Sequence, residues 1–127
     1  MRRTDQRRAA VFALYQRDVT RRPLEELLDR TASDFTRALV EGVDADIDEL
    51  DAVIAAHAEN WTVDRIAPLE LNIMRVALFE MLHRADVPAE VALDEAVEAA
   101  KELCAAQAPA FVNGILGSVH RERVGSV

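Results

Sequence analysis

Apolar residues recur at spacings of three and four from one end of this 127-residue chain to the other, and no stretch alternates apolar and polar as a strand would. That periodicity points to an all-α domain. Thr4 suits the cap of a first helix running to about Asp18, with Val11, Phe12, Tyr15 and Val19 as its apolar stripe. Pro23 opens a short second helix, Leu24 to about Arg30. Thr31 or Ser33 caps a third, in which Phe35, Leu39, Val43, Ile47, Leu50, Ile54 and His57 keep step over one helix of roughly 24 residues. Gly42 inside it lowers helix propensity by about 1 kcal/mol relative to Ala, which a close helix crossing would explain.

Asn60-Trp61-Thr62 interrupts the period, and Thr62 caps a short turn over Val63 to Ile66. Pro68 fits the first position of a fifth helix, with Glu70 in its first turn. Leu71, Met74, Ala77, Leu78, Met81 and Leu82 give that helix a broad apolar face and a central place; Asp86-Val87-Pro88 ends it. A sixth helix from Ala89 to about Cys104 buries Ala92, Leu93, Ala96, Val97, Ala100 and Leu103 and exposes Glu95, Glu98 and Glu102. After a loop to Pro109, a last helix runs from Ala110 to about Glu122, with Phe111, Ile115, Leu116 and Val119 inward and Asn113-Gly114 in its interior. The expected architecture is a single domain over residues 1–127, a bundle of about seven helices.

Charge is distributed very unevenly along this pattern. The first 22 residues hold seven arginines against two aspartates, net +5, while the other 105 hold eight basic and 21 acidic side chains, net −13. An acidic chain that binds nucleic acid should do so at its arginine-rich end, here centred on residues 1–8. Arg2, Arg3, Arg7 and Arg8 oppose the macrodipole at the start of the first helix, which stability alone would not favour. A disordered basic tail is the other reading of the same residues.

Signatures of catalysis are missing. His57, His83 and His120 have no Cys or His neighbour at metal-ligand spacing. Asp44, Asp46, Asp48 and Glu49 imitate the start of a calcium loop, but Glu49 replaces the required Gly and Ala55 the bidentate Glu, so they read as a solvated helix face. No phosphate loop or nucleophile elbow occurs. Cys104, the lone cysteine, sits on an apolar stripe and suits a reducing cytoplasm. No apolar run reaches membrane-span length. The pattern is that of a cytoplasmic binding module rather than an enzyme, with no cofactor or metal.

Four segments carry a family resemblance. Arg7-Arg8-Ala9-Ala10-Val11-Phe12-Ala13-Leu14-Tyr15-Gln16 resembles the first helix of the NusB family of bacterial transcription antitermination factors. Pro68-Leu69-Glu70-Leu71-Asn72-Ile73-Met74-Arg75-Val76-Ala77-Leu78-Phe79-Glu80 is similar to that family's central helix, and Val87-Pro88 followed by Val91-Ala92-Leu93-Asp94-Glu95-Ala96-Val97-Glu98-Ala99-Ala100-Lys101 to the stretch after it. Phe111-Val112-Asn113-Gly114-Ile115-Leu116 matches its last-helix motif. The order and spacing agree over essentially the whole chain.

The resemblance implies an all-helical factor that binds boxA RNA of rRNA transcripts together with NusE, a small-subunit ribosomal protein. It would act within the RNA polymerase antitermination complex. It implies RNA contacts at Arg2, Arg3, Gln6, Arg7, Arg8 and Tyr15, and a NusE interface at Tyr15, Glu70, Arg75 and Phe111. Phe111 with Ile115 equally fits core packing, and Glu70 equally serves the helix dipole. The chain departs from the family at Ala106-Gln107-Ala108-Pro109-Ala110, which carries less charge, and at Asp94, where an Asn is usual. Two alternatives accompany this reading. One is a targeting module like that fused to rRNA cytosine methyltransferases, with a free-standing factor the expectation for a sequence that ends at Val127. The other is a homodimer through the apolar faces of the fifth and seventh helices.

Overall fold

The structure, a computed structural model described over residues 1–125, contains seven α-helices and one 3-10 turn, with no strand among the described residues. The helices are α1 (Arg3–Thr20), α2 (Leu24–Leu27), α3 (Asp34–Ala45), α4 (Ile47–His57), α5 (Pro68–His83), α6 (Ala89–Leu103) and α7 (Ala108–Gly125); the turn is Val63–Arg65. The all-α architecture follows the periodicity, but the helices are apportioned differently from the sequence reading. The expected 24-residue helix is two, α3 and α4, broken at Asp46 (φ −107°, ψ 19°). A 3.6-residue period continues through a one-residue bend, so the pattern cannot distinguish the two cases. The bend lets one apolar stripe serve two neighbours: α3 packs on α1 and α5, and α4 on α5 and α7.

α5 is the axis of the bundle. Residues Leu71 to Leu78 are all buried, and α1, α3, α4, α6 and α7 each pack on it. A helix covered on every side must be apolar nearly all round, and Pro68 starts it at no cost because its missing N–H would have had no partner. Gly42 explains how α3 comes so close. A Cβ there would lie 2.1 Å from Phe79 Cζ on α5. α6 approaches through alanines: Ala92, Ala96, Ala99 and Ala100 are buried, whereas Leu93, Val97 and Leu103 are only half-buried. The apolar faces of α5 and α7, suggested as a dimer surface, are consumed by packing within the chain.

α1 departs from its expected face. Its buried residues are Arg7, Ala10, Val11, Ala13 and Leu14, while Phe12 and Val19 stand 42% and 55% exposed. Small alanines at 10 and 13 let the backbone approach α3 and α5, so the helix turns its alanine side inward and its Phe outward. Thr4 is not the cap. Arg2 occupies that position without a side-chain bond, and Thr4 Oγ1 instead donates to Glu95 Oε1 of α6 at 2.9 Å. Ser33, the alternative to Thr31, does cap α3, accepting from Thr36 N at 3.0 Å. α2 stops at Leu27, short of Arg30, because Asp29 draws Thr31 N into a local turn at 2.8 Å. α7 begins two residues earlier than expected and carries Asn113-Gly114 within it.

Candidate nucleic-acid interface

α1 begins at Arg3, so its arginines are displayed on helical turns at one end of the bundle. Helical spacing then sends them to different fates. Arg2 and Arg3 are 80% and 50% exposed in their side chains. Arg3 lies over the Phe35 ring at 4.1 Å, and Arg84, which follows α5, reaches the same ring at 5.2 Å. Arg84 also grips Asp86, and this hydrogen bond is the main reason the Asp86 carboxyl is held below its usual pKa range. Arg8 is hydrogen-bonded to Glu102 at the end of α6. Gln6 faces α3: Ser33 Oγ donates to its Oε1 at 2.6 Å, and Thr36 Oγ1 to its backbone oxygen at 2.9 Å.

Arg7 does not face outward. Its Nε and Nη2 donate to Glu80 Oε1 and Oε2 at 2.8 and 3.0 Å, and Glu95 lies 3.8 Å away. The Arg7 and Glu80 side chains are 10% and 1% exposed. Two charges so removed from water require one another, and the planar guanidinium suits a carboxylate edge-on. The expectation that Arg7 meets RNA therefore becomes a locking role between α1 and α5. The signal was in the sequence: Arg7 stands one turn from Val11 on the inward row. Glu95, expected to be exposed, is half-buried in the same cluster.

Arg75, expected at a protein interface, is also internal. Its Nε and Nη2 bind Asp51 Oδ1 and Oδ2, both at 2.7 Å, and its Nη1 binds Asp18 Oδ2 at 2.7 Å. Asn72 completes the cluster, donating to Asp18 Oδ2 at 2.9 Å. Burial works against the Arg75 charge, but hydrogen bonds and attraction from Asp51 and Asp18 outweigh it and raise the pKa above the ordinary value. The cluster ties α1, α4 and α5 together.

Tyr15 is half-buried on α1. Glu70 and Phe111 meet at a second feature, an apolar cleft of about 380 Å³ between the 3-10 turn, α5 and α7. Trp61 and Arg65 also line it, and Trp61 stands edge-on to Phe111 with ring centroids 5.9 Å apart. Trp61, 49% exposed, figures in the sequence only as part of the helix break and not as a site residue. A large aromatic residue beside Asn60, in the segment that breaks the helical period, was the available signal; Asn60 takes φ 66° in the structure.

The remaining chemistry is quiet. Burial, with help from Glu70, pushes the Cys104 thiol up, away from the reactive thiolate. The acidic run at 44–49 straddles the α3–α4 bend, where Asp44 holds Arg17 at 2.7 Å and Glu49 holds His83 at 2.6 Å. No group of three or more metal-capable side chains occurs among the described residues.

A helical bundle with an arginine-bearing end and an aromatic cleft belongs to the class of binding domains. Comparison with known proteins makes this specific. The NusB family model matches residues 4–121, and the chain belongs to the NusB family. It is 41% identical over 133 residues to the transcription antitermination protein NusB of Rubrobacter xylanophilus, covering all of this chain and 96% of that protein. T. maritima NusB superposes with a TM-score of 0.88 at 31% identity, over 96% of this chain and 92% of that one. A chain in the crystal structure of antitermination factors NusB and NusE in complex with dsRNA gives 0.82 at 23% identity, over 96% and 99%, a likeness of fold. Membership makes the chain a transcription antitermination factor and not an enzyme.

Proposed function

We propose that this chain binds boxA-type RNA of rRNA transcripts cooperatively with NusE, within the cytoplasmic RNA polymerase antitermination complex. The observation that carries the reading is the exposure of Arg2 and Arg3 where α1 begins, in a chain that is otherwise acidic. Arg2, Arg3 and Arg8 take phosphates or stack on unpaired bases, and Gln6 and Tyr15 flank them. Arg7 supports the surface from below through Glu80. Glu70 and Phe111, at the cleft shared with Trp61, form the NusE side, where a carboxylate suits a basic ribosomal protein. Arg75 acts from within, tying α5, which carries Glu70, to α1 and α4. The NusB–NusE–dsRNA complex of the same fold supports both partners.

The test is fluorescence anisotropy of labelled boxA RNA against a scrambled control, with the protein alone and with NusE added. Selective binding that tightens with NusE is expected. Equal affinity for both RNAs in the presence of NusE overturns the reading.

A further inference from the structure

The arginines that segregate so sharply in the sequence do not stand alone in space. Arg3 lies 3.6 Å from Asp86, on the turn before α6, and Arg8 is bonded to Glu102 at the far end of α6. Both carboxylates come from elements distant in sequence, and both face water, at 52% and 64% exposure. The Arg8 side chain is only 14% exposed. A phosphate reaches the Arg8 guanidinium fully only when Glu102 has swung aside. Such a movement is cheap, because a pair with one solvent-facing partner is weak.

We propose that Glu102 and Asp86 are built-in counter-ions that compete with phosphates for Arg8 and Arg3, attenuating polyanion binding at this end of the bundle. The inference rests on the RNA reading above. Glu102, once displaced, takes up a cation as the arriving phosphate releases one; Asp86, which stays hydrogen-bonded to Arg84, does so only in part. The wild type therefore sheds fewer net counterions than its arginine count would suggest. The device also raises the threshold for any polyanion that brings charge alone, while a ligand with further contacts still passes it.

The experiment compares Glu102→Gln and Asp86→Asn with Glu98→Gln, which removes one charge from the same acidic helix but whose ion-pair partner is Lys101. Binding of boxA and scrambled RNA is measured between low and moderate salt, with thermal melting to confirm folding. Each of the first two variants is expected to bind both RNAs about threefold to fivefold more tightly than wild type, with a steeper salt dependence. Glu98→Gln should not show this, and Glu102→Gln should lose its effect in an Arg8→Ala background. Equal affinities and slopes for all three variants overturn the proposal. Weaker binding by Glu102→Gln also overturns it, and would make Glu102 a residue that positions Arg8. The same series against inorganic polyphosphate reads the competition without RNA. If wild type binds neither RNA with NusE present, the proposed function fails while the counter-ion proposal is still decided by the polyphosphate arm.

Discussion

Arg7 and Arg75 show how much a charged residue's role depends on what faces it. The sequence displays each charge but not its partner, since Glu80 lies 73 positions from Arg7 and Asp18 lies 57 from Arg75. Both arginines were expected on binding surfaces, and both are structural locks. Replacing Arg75 with Met should destabilise the fold by about 3 kcal/mol, the lower end for breaking a buried pair, because Asp18 and Asp51 remain 24% and 26% exposed. Urea denaturation measures this; a loss under about 1 kcal/mol would mean that the carboxylates simply re-solvate. Gly42 is the opposite case, a residue whose meaning the sequence did hold. Gly42→Ala should cost about 1–3 kcal/mol by overpacking against Phe79. Phe79→Leu in the same chain should recover part of that loss, since the clash is with the ring.

At the scale of elements, α3 and α4 meet at the Asp46 bend, and α4 is secured at its far end by His57. The ring Nδ1 lies 2.9 Å from Val53 O and Nε2 lies 2.7 Å from Glu122 Oε2 on α7. Both contacts are met at once only by the doubly protonated ring, because neutral imidazole has one N–H. The Val53 carbonyl bond first, then the Glu122 pair, raise the His57 pKa above its ordinary 6.5 against the effect of burial. The stabilisation is therefore fully present below pH 6.5 and is lost as pH rises through the raised value. Melting of wild type and His57→Gln across pH 5.5–8.5 should show the largest gap at the acidic end, of about 1 kcal/mol or less. A gap that is constant, or widest at alkaline pH, would refute the clasp. The orientation of α1 was the element-level surprise: Phe12 and Val19 look like core residues, and only the close approach of Ala10 and Ala13 to neighbouring helices turned them out.

For the molecule as a whole, the decisive quantity is the field at the α1 end. Each phosphate neutralised on a single strand contributes about −0.7 to the salt slope, so Arg2→Ala with Arg3→Ala should flatten it by at most roughly 1.4, and by less where Asp86 already offsets Arg3. Their melting temperature should stay near that of wild type, since exposed pairs contribute little. Arg7→Ala should do the reverse, melting earlier through loss of the Glu80 pair. A slope unmoved by the first pair of changes would place the RNA elsewhere on the surface. The helical class, the central place of the fifth helix and the family were all legible in the chain, because they rest on local periodicity and on contiguous motifs. Only the tertiary structure decided which arginines stay exposed to solvent, where the long helix bends, and that Trp61 meets Phe111. Those outcomes depend on contacts between residues far apart in the chain, and pairing energies of that kind leave no periodic trace in a sequence.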